Sequence, residues 1–571
     1  MTINNKFIIK SILLIAIVFL FSCTLLEENN TKIDDWQYSS GSTRDGGIAS
    51  GVRNFFGGPV VYKSTAPQMM MTESIGFSAG GSKDINNFRE NIKNNYMPLS
   101  TDLTYEGLFY DYYFDTNKKE ECNKLFCPSY SYAISKDPFS KEDQYYLSVG
   151  LNSNIKESDF QRKKLNLVVV LDISGSMSSS FDRYYYDKFR KDNSTAKETD
   201  VDEGKSKMEV ATKSLVALLD HLKPDDRVGI VLFDNQAYLA KSLNSLEKSD
   251  TEKLKSHILE IQPQGGTNME SGMKMGTELF EKLLSADQSE YENRIIFITD
   301  AMPNIGQTSE EGLFGMMKKN SDNKIYSTFI GVGVDLNTDL IETMTKIRGA
   351  NYYSVHSAKE FKTRMDDEFE FMVTPLVFNL NLNLDAKGYK IEKVYGSPEA
   401  NESTGELMKV NTLFPSKTKE GQTKGGLVLL KLKKLSSDAS LKLRVTYEDR
   451  LGKQDSSEAS VNIPDKQPDY FENSGIKKGV LLARYADLMK NWINDERKQV
   501  EKPSVNSHVG IIVPFEEDFK LGRWERQSVQ LYVSEQYREL FKEFKLYFEN
   551  EMKEIGDNSL NKEVELLKRI K

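Results

Sequence analysis

The sequence predicts an α/β fold, a doubly wound and mostly parallel sheet, flanked by β-rich modules and followed by a helical C-terminal region. Three changes of hydrophobic period carry this reading. Between residues 161 and 374, nearly unbroken aliphatic runs alternate with amphipathic stretches, as in parallel strands buried on both faces and joined by helices. From 375 to 465 the period drops to two, the mark of an antiparallel module, and within 466–571 it becomes helical from about Ser474. A chain of 571 residues is too long for one core, so several domains are expected.

The first 22 residues have the layout of a secretory signal: Lys6 and Lys10, an uncharged apolar run from Ile12 to Phe21, then Ser22 and Cys23. Leu20-Phe21-Ser22-Cys23 resembles a bacterial lipobox, and the resemblance implies a lipidated Cys23 as the first mature residue. An ordinary signal peptide ending near a cysteine, or an uncleaved anchor helix, are the alternatives. The expected location is the cell envelope, with a lipid anchor in the membrane. Thr24 stands where an aspartate would favour inner-membrane retention, so the outer membrane or cell surface is expected over the inner membrane.

Residues 23–83 are polar and glycine-rich and read as a flexible tether. Residues 84–160 read as a small β-containing module, with an aromatic run from Tyr105 to Phe114 assigned to its core. Cys122 and Cys127 lie five apart in an exported segment; a local disulfide is permitted, and a reduced pair without a role is the alternative.

In the central region the buried strands are Leu165–Leu171, Val228–Phe233, Ile295–Ile298 and Ile325–Val332. Leu215, Leu218, Leu219 and Leu222 recur at helical spacing, and a helix from about Asp339 is expected to end at Gly349. Beyond it, Phe378, Leu380, Leu382 and Leu384 alternate with asparagines, which reads as a β-sandwich-like module. The last region holds one helix over 480–493 and another over 534–555, the second with Tyr537, Leu540, Phe541, Phe544 and Phe548 on one side. A net charge of −9 and a mean hydropathy of −0.52 provide no basic surplus for phosphates, so no nucleic-acid partner is expected.

The chemistry concentrates at strand ends. Asp172-Ile173-Ser174-Gly175-Ser176 closes the first strand, Gly265-Gly266-Thr267 precedes a helix, and Ile298-Thr299-Asp300 closes a third strand. The carboxyl edge of an open α/β sheet is where ligands bind. Five oxygen donors, with no imidazole or thiolate, suit a hard cation: magnesium or manganese first, calcium third. None of the four histidines (His221, His257, His356, His508) joins these motifs.

Asp-x-Ser-x-Ser with a distal Thr and Asp resembles the metal-ion-dependent adhesion site of the von Willebrand factor A (vWA) family, over about Leu165 to Phe371. The resemblance implies Ser174 and Ser176 as direct ligands, Thr267 direct or through water, and Asp172 and Asp300 largely through bridging waters. It also implies an open coordination position for an Asp or Glu side chain of a protein partner. Ala301 departs from the glycine usual after the distal aspartate. An insertion between Ser178 and Lys205 should emerge beside the metal loop, with Tyr184, Tyr185 and Tyr186 as candidate partner contacts; a solvated insertion without a role is the alternative.

No placed base, nucleophile elbow, zinc motif or phosphate loop accompanies the motif, so a binding protein for adhesion or complex assembly is expected rather than an enzyme. The alternative is a regulatory or accessory subunit of an envelope transporter, channel or enzyme.

Overall fold

The computed structural model describes residues 32–39, 74–118, 123–189, 206–284, 290–397, 399–400, 408–436, 440–461, 463, 466–501 and 520–570. The lipobox and Cys23 lie outside them. Among the described residues no helix is long and apolar enough to cross a membrane.

The central sheet has seven strands in the order Gly81–Ser82, Asn351–Val355, Ile325–Val332, Tyr291–Thr299, Lys164–Asp172, Arg227–Phe233, Ala237–Ser245, all parallel except the last. Successive residues of a strand point to opposite faces. Leu165, Leu167, Val169 and Leu171 therefore enter one core, while Val168 and Val170 enter another. Helices Lys207–Leu219, Thr251–Leu259 and Ala358–Met372 fill the first, and Met269–Glu278, Glu310–Asp322 and Thr338–Thr345 the second. The doubly wound α/β class follows. The Thr338–Thr345 helix stops earlier than the sequence pattern implies, and Gly349 makes a left-handed turn (φ +80°) just before the next strand.

The flanking regions depart from the expected modules. The strands on either side of the vWA-like region form one antiparallel sheet, ordered Tyr389–Tyr395, Leu427–Lys434, Asp143–Lys156, Ser74–Ala79, Met408–Ser416, Val377–Lys387, Ser440–Asp449, Gln454–Val461. Phe126–Lys136 also pairs along Asp143–Lys156. The 84–160 and 375–465 regions are thus not separate modules. The α/β domain is inserted into a single β domain, and that domain's core mixes Leu147 and Val149 with Val377, Leu413 and Val428.

The 23–83 region is likewise not all tether. Ser74–Ala79 is an inner strand of the large sheet, and residues 32–39 lie along the outer strand Ala237–Ser245. There the Gln37 N–H donates to the Ala240 carbonyl (2.8 Å), Asp35 pairs with the buried Lys241 (2.7 Å) and Trp36 stacks on His257. An edge strand presents unpaired backbone groups, and this segment covers part of them.

The C-terminal helices Ser474–Glu501, Glu535–Ile555 and Asn561–Arg569 share a core with the N-terminal helices Asn86–Lys93 and Tyr105–Tyr110. Tyr537, Phe541, Phe544 and Phe548 are buried in it, as are Leu108, Phe109, Tyr112 and Phe114 of the early aromatic run.

Candidate metal centre

The five candidate ligands, Asp172, Ser174, Ser176, Thr267 and Asp300, meet at the carboxyl edge of the parallel sheet, and all are buried. Asp172 ends its strand, and its Oδ1 accepts the Ser174 N–H (2.8 Å), a turn that folds the chain back over the strand end. Its Oδ2 accepts the Thr299 hydroxyl (2.6 Å), which fixes the carboxylate to the neighbouring strand. The Ser174 and Ser176 hydroxyls lie 3.0 Å apart.

Backbone bonds lock the three loops together. The Gly175 N–H donates to the Gly265 carbonyl (3.0 Å) and the Gln264 N–H to the Ile173 carbonyl (2.6 Å). Asn304 joins the second loop to the third: its N–H donates to the Thr267 carbonyl (3.0 Å), and its Oδ1 accepts the Thr267 N–H (2.8 Å). Ala301 has a left-handed backbone (φ +58°), so the turn keeps the shape a glycine would allow, with a buried methyl on it.

Two further residues complete the cluster. Lys207, the first residue of its helix, is fully buried, with Nζ 2.9 Å from Asp300 Oδ2 and 2.6 Å from Asp335 Oδ1. Burial alone would pull this ammonium down, but Asp300 and Asp335 outweigh it and hold it above the usual lysine range. Burial, and then the neighbouring Asp300, push the Asp172 carboxyl up to about 7. Asp300 Oδ1 is buried with no hydrogen-bond partner among the described residues. Three buried carboxyl groups share one ammonium, a surplus of acidic groups over positive charge.

That surplus, the orphaned oxygen and the paired hydroxyls fit a divalent cation. Among the described residues no cluster of three or more His, Cys, Asp and Glu side chains could hold a metal. The set gathered here is of a different kind, two carboxylates with three hydroxyls, which matches a hard ion.

Lys207 and Asp335 were not legible as site residues from the motif. Asp335 had a signal: the four neighbouring parallel strands each end in an aspartate or are followed by one within three residues, Asp172, Asp234, Asp300 and Asp335. Asp234 lies on the flank, where its Oδ1 accepts the Gln236 N–H (3.1 Å) and its Oδ2 the Tyr238 hydroxyl (3.3 Å). Lys207 had no comparable signal.

The tyrosines of the insertion require a correction. Tyr184 and Tyr186 are buried, so neither presents a surface to a partner, and Tyr185 is half-buried. The Tyr184 hydroxyl donates to Asn91 (2.7 Å), with its ring edge-on to Tyr96. The Tyr186 hydroxyl donates to Glu525 (2.6 Å), and the Tyr185 N–H donates to Asp335 (3.0 Å). They pin the insertion to the N-terminal helices, the C-terminal segment and the charged cluster. Burial first, then Glu525 and Asp300, push the Tyr186 phenol well above its usual range. Cys127 is disulfide-bonded, and Cys122 lies outside the described residues.

Residues 167–303 match the family model described as the von Willebrand factor type A domain. The chain is 24% identical over 222 residues to human (Homo sapiens) inter-alpha-trypsin inhibitor heavy chain H4, covering 37% of this chain and 20% of that protein. It thus spans about a fifth of the length of the curated relatives it matches. Among solved structures it is similar to a von Willebrand factor type A protein from Catenulispora acidiphila (12% identity, TM-score 0.36, 66% of this chain and 81% of that one). It is also similar to the PilB minor pilin from Streptococcus sanguinis (14% identity, TM-score 0.27, 43% of this chain and 78% of that one).

Proposed function

From the premise that this chain carries a von Willebrand factor type A domain, we propose that it is a non-enzymatic binding protein that captures an acidic side chain of a protein partner through a divalent cation. The observation that carries this reading is the buried convergence of the Ser174 and Ser176 hydroxyls, 3.0 Å apart, with Asp172 and an unpartnered Asp300 oxygen. Ser174, Ser176 and Thr267 would hold magnesium or manganese, with calcium the third choice, and Asp172 and Asp300 would balance its charge. A cation held largely by neutral hydroxyls offers an electrophilic open position to a carboxylate.

The residues of this chain do the remaining work. Thr299 and the Ser174 N–H orient Asp172, while Lys207 neutralises part of the charge on Asp300 and Asp335 and keeps the cluster folded before a cation arrives. The function is adhesion or complex assembly at a cell envelope, with the chain exported and anchored by a lipid on Cys23 in the outer membrane or at the cell surface.

Thermal unfolding of the full chain in detergent, with magnesium or with chelator, tests the site. At ~100 times the dissociation constant, magnesium should add about 2.7 kcal/mol to wild type and nothing to Asp172→Ala. A wild type indifferent to magnesium and manganese would overturn the reading. Envelope fractionation of Cys23→Ala tests the anchor, which fails if the variant still partitions with membranes after signal cleavage.

A further inference from the structure

The C-terminal segment 520–533 runs across the rim of the metal centre and contacts several of its loops. The Trp524 indole N–H donates to the Thr308 carbonyl (2.7 Å), and the Trp524 carbonyl accepts Asn337 Nδ2 (2.8 Å). Asn337 in turn donates its N–H to the Asp300 carbonyl (3.0 Å). Gln527 Nε2 donates to the Tyr186 carbonyl (2.9 Å), and Ser528 donates twice to Asp187 (2.6 and 2.9 Å).

This segment places a carboxylate, Glu525, on the rim. Its Oε1 accepts Asn304 Nδ2 (2.7 Å) and the Tyr186 hydroxyl (2.6 Å), and its Oε2 accepts the Gly522 N–H (2.6 Å). Asn304 is the residue whose Oδ1 accepts the Thr267 N–H, so Glu525 stands two hydrogen bonds from a candidate ligand. No cation of this chain pairs with Glu525 among the ion pairs of the described residues. The donors that hold Glu525 are neutral, and one of them, Asn304, also holds the Thr267 loop.

We propose that Glu525 is an internal ligand of this centre, which takes the cation's open position in the free protein and must be displaced by the partner's acid. The inference rests on the proposed metal site. The segment 520–533 then acts as a selectivity barrier: a lone carboxylate exchanges poorly against a tethered one, whereas a partner that also replaces the contacts of Trp524 and Ser528 can win. Tethering raises the local concentration of Glu525 without any new contact.

The test measures manganese affinity of the full chain in detergent from the free-ion electron paramagnetic resonance signal. Wild type, Glu525→Gln, Glu525→Asp and Asp172→Ala are compared, with hydrogen exchange of residues 520–533 read alongside. Glutamine keeps an oxygen for Asn304 and Tyr186 but loses the charge and the acceptor for the Gly522 N–H, and hydrogen exchange of the metal-free variant reads whether the rim stays assembled. The proposal expects Glu525→Gln to weaken manganese binding by about tenfold, since ligand charge tunes affinity. It also expects manganese to slow exchange in the segment of wild type but not of Glu525→Gln, and Glu525→Asp to recover part of the affinity. Unchanged manganese affinity and exchange in Glu525→Gln, with binding abolished in Asp172→Ala, would overturn the proposal and leave the metal site standing. A wild type that binds no manganese would overturn both.

Discussion

Replacing Lys207 with methionine tests how the charged cluster is balanced. Methionine keeps most of the unbranched stem and removes the ammonium, which lies 2.9 Å from Asp300 and 2.6 Å from Asp335 with all three side chains fully buried. At an effective dielectric near 20, each contact has a gross attraction of roughly 6 kcal/mol, set against a desolvation cost of several kcal/mol per ion. Truncating one partner leaves the carboxylates buried without compensation, a loss of about 3–5 kcal/mol. For a domain of this size, each kcal/mol lowers the melting temperature by about 2–4 °C, so a fall of roughly 10 °C is expected in chelator. A bound dication would supply the missing positive charge, so magnesium should raise the melting temperature of Lys207→Met more than that of wild type. Differential scanning calorimetry with and without chelator reads both effects. A variant melting within about 2 °C of wild type in chelator, or an equal response to magnesium, would refute the reasoning.

Two other positions give independent checks. His356 is buried with neither ring nitrogen hydrogen-bonded among the described residues, and burial lowers its pKa to about 4 from the usual 6.5. The unfolded chain therefore takes up this proton first: the stability contributed by the neutral ring is present above pH 6.5 and is lost as pH falls towards 4. His356→Leu cannot titrate, so its stability relative to wild type should rise by roughly 3 kcal/mol across that window in urea unfolding, and a constant difference would refute the assignment. At Ala301, the left-handed backbone costs about 1–2 kcal/mol, which glycine would relieve. Glycine also removes a buried methyl worth about 0.8 kcal/mol and adds about 0.5–1 kcal/mol of unfolded-state freedom. Ala301→Gly should therefore stay within about 1 kcal/mol of wild type, while the β-branched Ala301→Val should lose about 3 kcal/mol in the same assay.

The central fold was legible because a parallel strand buried on both faces leaves a local trace: Leu165 to Leu171 is apolar at nearly every position, and the structure sends alternate residues into two cores. The joining of the flanking strands left no such trace. Asp143–Lys156 pairs with Leu427–Lys434 across the whole α/β domain, and a period of two tells which face is buried but not which strand lies alongside. The candidate ligands were legible because they sit in short motifs at strand ends, whereas Lys207 and Glu525 reach the site from a helix start and a distant segment. Tyr184 and Tyr186 misled because the residue types that anchor interfaces also fill cores, and only packing against Asn91 and Glu525 distinguishes the two.

The position of Ser74–Ala79 has a mechanical consequence. Once residues 32–39 have parted from Ala237–Ser245, tension from the N-terminal side would act on a strand with hydrogen-bonded neighbours on both sides, Asp143–Lys156 and Met408–Ser416. Both neighbours run antiparallel to it, so a pull along its axis loads two ladders at once in shear instead of unzipping one from an edge. The α/β domain joins that sheet through three chain crossings, from Ser74–Ala79 into Gly81–Ser82, after Asp143–Lys156 and before Val377–Lys387. Force applied at the metal centre would reach the sheet through these crossings together, the arrangement of a hook held by several stitches.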